Sequence, residues 1–312
     1  MRPPTALKAL TTVGLWGASF IATKVALREI SPLAIVVLRF GLGLALVLAL
    51  LAWRRQALRA APRDLAWLAL LGVLGVTVHQ LLQSVGLLTT SATNSGWIVA
   101  LIPVFTALLA WLMLGERFGP VKVLGLAVAS LGAALVVARG AGLGSMIAHA
   151  VRGDLLVLLS AANMALFTTM SKRMLARFPP IVMMAYVMTF GWLASLPLLA
   201  VEGGWRGIAD LSMTGWGSVA FLGLGCSGLA YVFWYDALAE IDASALSSFQ
   251  YLQPIVTVVV ASTMLGEAVT APVVAGGAAI LSGVWMVTRT SSGPRARRGA
   301  CAGGAGATGA RG

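Results

Sequence analysis

The chain has 312 residues, 59% of them hydrophobic and 10% charged, with a formal net charge of +12 and a mean hydropathy of +0.92. Soluble domains carry about 25% charged residues, so this chain cannot cover a water-facing surface, and lipid is the solvent that fits it. Its basic residues sit in short loops between apolar runs, with no basic stripe or aromatic stacking motif, which argues against a nucleic-acid binder and for membrane orientation.

Apolar runs fall at 7–27, 32–53, 65–88, 92–114, 120–138, 154–176, 180–200, 214–238, 243–265 and 272–289. Each is about long enough to cross a bilayer as a helix, the element that satisfies its own backbone in lipid. Arg2 and Lys8 stand ahead of an apolar stretch as they would in a signal peptide, but the second half of the chain has a counterpart of this run, so it reads as a span. The first run holds Trp16 and Lys24, the second Arg39, and the third His79, Gln80 and Gln83. The fourth opens on Asn94 and contains Pro103; the ninth contains Gln250, Gln253 and Pro254. Tyr231, Trp234 and Tyr235 lie on one face of the eighth, as an interfacial belt or a gate. Cys226 lies within a run and Cys301 in the tail, so no disulfide framework is implied. Ser291–Gly312, rich in Gly and Ala with several arginines, is expected to be a disordered basic tail.

With the N-terminus placed in the cytoplasm, the inner segments hold 16 Lys and Arg and the outer loops 4; Lys24 and Arg39 fall inside spans. Both termini are then cytoplasmic. The loop from Glu240 to Asp242 has no basic residue and says nothing about orientation.

The chain also repeats itself. An ungapped shift of 151 residues lays the fourth and fifth runs on the ninth and tenth: Met113-Leu114-Gly115-Glu116 on Met264-Leu265-Gly266-Glu267, Pro103 on Pro254, Thr106 on Thr257, Gly125 on Gly276 and Gly132 on Gly283. Five spans per unit is odd, so the second copy enters the membrane upside down. The charges agree, since Arg54, Arg55, Arg59 and Arg63 follow the second run whereas Arg206 alone follows the seventh. The expected fold is an all-α polytopic membrane protein of ten transmembrane helices in a 5+5 inverted repeat. Its units are 1–140 and 152–290, with the tail at 291–312.

Trp16-Gly17-x-x-Phe20 in the first run, TSATNSGWIVALIPVFTALLAWLMLGERF through the fourth, and YVFWYDALAEIDASALSSFQYLQPIVTVVVASTMLGE through the eighth and ninth resemble the EamA family of the drug/metabolite transporter superfamily. The resemblance covers nearly the whole chain. It implies the same ten-helix inverted fold and an exporter of amino acids, metabolites or drugs in the bacterial inner membrane. Members of that family often carry Glu-Pro where this chain has Gln253-Pro254, which removes one carboxylate that could serve coupling.

Pro103 and Pro254 each lie about 17 Å into their spans. Each removes a backbone donor and crowds the carbonyl four residues earlier, of Val99 and Gln250. Matched interruptions in two halves are the best sequence pointer to a transporter's site. The candidate substrate-binding set is therefore Trp16, Lys24, Arg39, His79, Gln83, Asn94, Pro103, Tyr231, Tyr235, Gln250, Gln253 and Pro254. A polar gate (His79, Gln83, Asn94) is expected outside and an aromatic one (Tyr231, Tyr235, Gln250) inside. Lys24 and Arg39 make the outer cavity cationic, suited to an anion. Glu116 and Glu267 each follow a Gly and precede a helix, which reads as structural; Asp236 is a weak candidate for proton coupling.

The glycine pairs at 125/132 and 276/283 give smooth strips for close helix packing. Gly223-x-Gly225-x-x-Gly228 matches a dinucleotide fingerprint only as a string, since it lies in an apolar run without strand-turn-helix context. No Walker A, HExxH or GxSxG motif occurs, so no cofactor, metal or catalytic residue is assigned. The expected partners are the lipid bilayer, a small-molecule substrate and a coupling ion or counter-substrate. The competing class is an intramembrane enzyme or scaffold, which should instead gather its polar groups at one depth of one half.

Overall fold

A computed structural model describes residues 3–114, 119–138, 150–240, 246 and 248–289. Gly115, Glu116, Asp242, Arg139 and the tail from Ser291 lie outside these residues. Helices α1 (Pro3–Ala26) and α2 (Pro32–Trp53) come first, followed by α3 (Pro62–Gly72), a π-helical segment at Val73–Val78, and α4 (His79–Leu87). Next are α5 (Ala92–Val99), α6 (Ile102–Leu114), α7 (Pro120–Ala138), α8 (Ala150–Leu175) and α9 (Pro180–Glu202). Then α10 (Met213–Ala220) runs into a second π-helical segment at Phe221–Leu229 and on into α11 (Ala230–Glu240). The last two are α12 (Gln253–Leu265) and α13 (Ala271–Arg289). No strand occurs among the described residues.

The starts of these helices are encoded locally. Ser31, Ser91 and Ser212 each accept a hydrogen bond from the backbone N–H three residues on, capping α2, α5 and α10. Pro32, Pro62 and Pro180 occupy first turns, where no backbone donor is needed. Each of the ten apolar runs is mostly helical over its described residues. Among the described residues, eight helical stretches are long and apolar enough to cross a membrane, while Phe249–Leu265 and Ala271–Val287 are shorter apolar helices. The chain is a polytopic helical membrane protein.

Both prolines singled out in the sequence mark true breaks. Helix α5 stops at Val99 and α6 resumes at Ile102, with Pro103 as its second residue. A 3-10 turn at Ser248–Leu252 precedes α12, whose second residue is Pro254. The strain expected of a mid-helix proline is relieved because each begins a new helix. Thr106 and Thr257 then each donate to the carbonyl four residues back, of Ile102 and Gln253.

Helices α7 and α13 form the most extensive contact between any two helices described. A Cβ on Gly132 would lie 2.6 Å from the Gly276 carbonyl oxygen, and one on Gly125 would lie 2.8 Å from that of Gly283. The lower-numbered glycine of one helix meets the higher-numbered one of the other, so these sequence-equivalent helices run antiparallel.

The two π-helical segments also correspond, because Val73–Val78 shifted by 151 residues falls inside Phe221–Leu229. Helix α2 crosses the second segment at Gly43, which abuts the Gly223 carbonyl and Ser227 Cβ; α9 crosses the first at Gly191, which abuts the Gly72 carbonyl and Val76 Cβ. Gly223 and Ser227 stand 151 residues after Gly72 and Val76. A π-helical turn replaces the usual bonds with wider ones five residues apart, as Leu74 O accepts from the His79 N–H. Leu74 O also accepts from Asn163 Nδ2 of α8 at 2.7 Å, and Cys226 O accepts from Trp16 Nε1 of α1 at 3.1 Å. Each segment is thus also bonded from the opposite half of the chain.

Candidate functional site

Arg39 lies seven residues into α2, about 10 Å from its start, and is 4% exposed. Its Nε donates to Ser227 Oγ at 3.0 Å and its Nη1 to Gln80 Oε1 at 3.0 Å. Both acceptors are neutral. Gln80 comes just after the first π-helical segment and Ser227 sits in the second. An inserted residue rotates the rest of its helix by about 100°, so the bulges set where these side chains face. Among the described residues no carboxylate lies within ion-pair distance of Arg39.

Beside this group is an aromatic cluster. Trp16 meets Tyr231 edge-on with centroids 5.5 Å apart and Trp234 at 5.3 Å, and Tyr231 stacks on Tyr235 at 6.4 Å. Tyr231 and Trp234 of the eighth span thus pack on Trp16 of α1. Trp16→Ala is expected to lower unfolding free energy by about 3 kcal/mol. Trp16→Phe, which loses only the N–H bond to Cys226 O, should cost about 1 kcal/mol; denaturation of the purified protein in detergent measures both.

The polar residues of the third span diverge. His79 turns to α8, where its Nδ1 lies 2.9 Å from Ser160 Oγ, while its neighbour Gln80 serves Arg39. Gln83 is buried on the same face as His79. Asn94 donates through Nδ2 to Asp154 Oδ2 at 3.4 Å, and Thr90 donates to the same carboxylate.

The two ends of the bundle are tied by charge. At the end where α5 begins, Glu267 accepts from the backbone N–H groups of Ala92 (2.8 Å) and Thr93 (2.9 Å), and Lys24 Nζ lies 3.5 Å away. Burial pushes the Glu267 carboxyl up, but the Thr93 and Ala92 amides and Lys24 outweigh it and hold its pKa below the ordinary value. Glu29 accepts from Ser212, whose backbone amide holds that carboxyl low. At the opposite end, Lys8 Nζ lies 2.8 Å from Glu240, which also accepts from Thr5, and Arg54 forms a two-pronged pair with Asp236 at 2.9 and 3.0 Å.

Of the sequence candidates, Trp16, Tyr231 and Tyr235 are brought together, with Arg39 joined to the same helix through Ser227. His79 faces α8, Gln83 is buried, and Asn94 joins Asp154. Lys24 is engaged by Glu267. Pro103 and Pro254 start α6 and α12, and Gln250 and Gln253 lie half-buried at the second break. Glu267 caps α5, in the other half, and not the helix immediately after it. Asp236 is paired with Arg54. Sequence reasoning passed over Ser227, Ser160 and Asp154; only Asp154, an acid opening an apolar run, carried a visible signal.

The model of the EamA-like transporter family matches twice, over residues 4–138 and 151–289, and the chain belongs to that family. An Archaeoglobus fulgidus protein named "Uncharacterized transporter" is 30% identical, with 89% of this chain and 96% of that protein covered. A Streptantibioticus cattleyicolor protein named "Probable terminal-alkyne amino-acid exporter" is also 30% identical, over 91% of this chain and 93% of that one. YyaM, a transporter from Bacillus subtilis, is 28% identical over 86% and 88%. A crystal structure with 21% identity superposes with a TM-score of 0.63, covering 94% of this chain and all of the other, and shares its fold. The chain is a membrane transporter of the EamA type.

Proposed function

We propose that the protein is a secondary transporter that exports small organic molecules across a bacterial inner membrane by alternating access. It has ten spans in two inverted five-helix units and both termini in the cytoplasm. The antiparallel meeting of the equivalent helices α7 and α13, glycine on glycine, is the observation that carries this reading. Inverted units can exchange conformations, which turns a site open on one side into a site open on the other. The paired breaks at Pro103 and Pro254 and the paired π-helical segments lie where such a site belongs. Charge clamps at both ends, Lys24–Glu267 and Lys8–Glu240, suit alternating gates. Amino acids enter the substrate class through the name of the Streptantibioticus relative.

Overexpressing cells should release metabolites that vector controls retain. His79→Ala should change that flux by about tenfold, the order expected when a buried polar contact worth about 1.4 kcal/mol is lost, and Tyr231→Ala, which opens the aromatic cluster, should change it as well, with folded protein undiminished. Wild-type flux in both variants would remove the two gates, and no release by the wild type would remove the exporter itself.

A further inference from the structure

A guanidinium at membrane depth is a costly group that normally faces a partner or a wet path. In this chain Arg39 is 4% exposed, yet its two acceptors, Ser227 Oγ and Gln80 Oε1, are both uncharged. Of five N–H groups on the fork, two are engaged, and Nη2 has no acceptor among the described residues. The ion pairs of the described residues, from Lys8–Glu240 to Arg177–Asp64, lie near helix ends. The charge of Arg39 is thus held in place and left unneutralised.

We propose that Arg39 is the head-group anchor for a substrate carboxylate. Gln80 and Ser227 fix the planar fork from two sides, one from each half of the chain, and leave Nη2 to bind the incoming oxygen. Guanidinium and carboxylate match in geometry and charge, and such pairs are stronger than neutral hydrogen bonds. The body of the substrate then meets the Trp16–Tyr231–Tyr235 wall, because Ser227 lies one turn before Tyr231 on the same span. Ser227 is on the helix that α2 crosses at Gly43, so an approaching anion pulls on a contact between the halves. Substrate charge is thereby coupled to their rearrangement. This assignment rests on the transporter reading above.

The test compares metabolites released by cells overexpressing the wild type, Arg39→Gln and Arg39→Lys, with membrane levels and monodispersity of each protein measured alongside. Compounds whose release depends on the wild type should carry a carboxylate. Their release should fall about 10- to 100-fold in Arg39→Gln, the loss of one charge-assisted contact, and less in Arg39→Lys, which keeps the charge but not the fork. Ser227→Ala, which loosens the fork without removing its charge, gives an intermediate loss and serves if Arg39→Gln does not fold. Released compounds that are neutral or cationic, or release undiminished in folded Arg39→Gln, would overturn the anchor and leave the transporter standing. No wild-type-dependent release would remove both.

Discussion

Gly132→Val is expected to leave almost no folded protein. A Cβ at this position would stand 2.6 Å from the Gly276 carbonyl oxygen and 2.7 Å from the Ile280 nitrogen, and both are backbone atoms that cannot rotate away. Helices α7 and α13 would have to separate along their most extensive contact. Overpacking alone costs about 1–3 kcal/mol. Separating the helices also forfeits the dispersion that holds transmembrane helices together, since lipid supplies no hydrophobic drive to bring them back. Gly217→Ala is the control: it is exposed on α10 with nothing within 4 Å of the added carbon, so it should be neutral or slightly stabilising. Yield and monodispersity in detergent distinguish the two.

The second large effect is at Glu267. Its carboxylate satisfies two N–H groups at the start of α5, which would otherwise lack acceptors. Charge-assisted bonds of this kind contribute about 1.5–3 kcal/mol each. Glu267→Lys sets a cation against those amides and beside Lys24, and is expected to destabilise that end of the bundle and stop transport. Glu267→Gln should do so partially. Protonation is the reversible form of the same change. The folded-state pKa is depressed, so the stabilisation is complete above the ordinary carboxylate range and is lost as pH falls through that range to the depressed value. Thermal unfolding of the wild type should therefore weaken with acidification in that window, with the Glu267→Gln profile flatter. Parallel profiles would assign the pH response elsewhere.

The sequence was most informative where chemistry is local or repeated. The 151-residue register stands on residue identity, and Gly132 and Gly276, which it pairs with Gly283 and Gly125, meet in the structure. The glycine strips were legible because only absent side chains permit backbone contact. The π-helical segments were not, because one extra residue per turn leaves no mark on an apolar run; Gly223-x-Gly225-x-x-Gly228 was visible only as a string to reject. His79 and Gln83, four residues apart, share a face, while Gln80, about 100° round the same helix, serves Arg39. The helix that Glu267 caps was not legible either, because its carboxylate's nearest amides in space lay 174 residues away in the chain.

The exchange of hydrogen bonds across the two π-helical segments has a consequence in time. Leu74 O has the His79 N–H of its own helix at once, but its second donor, Asn163, lies 89 residues further along the chain and at synthesis rates of about 5–20 residues per second arrives on the order of ten seconds later. Trp16 waits longer still, since Cys226 lies 210 residues beyond it. A nascent first half is therefore a membrane intermediate with an open seam, which α8 begins to close and the second π-helical segment finishes.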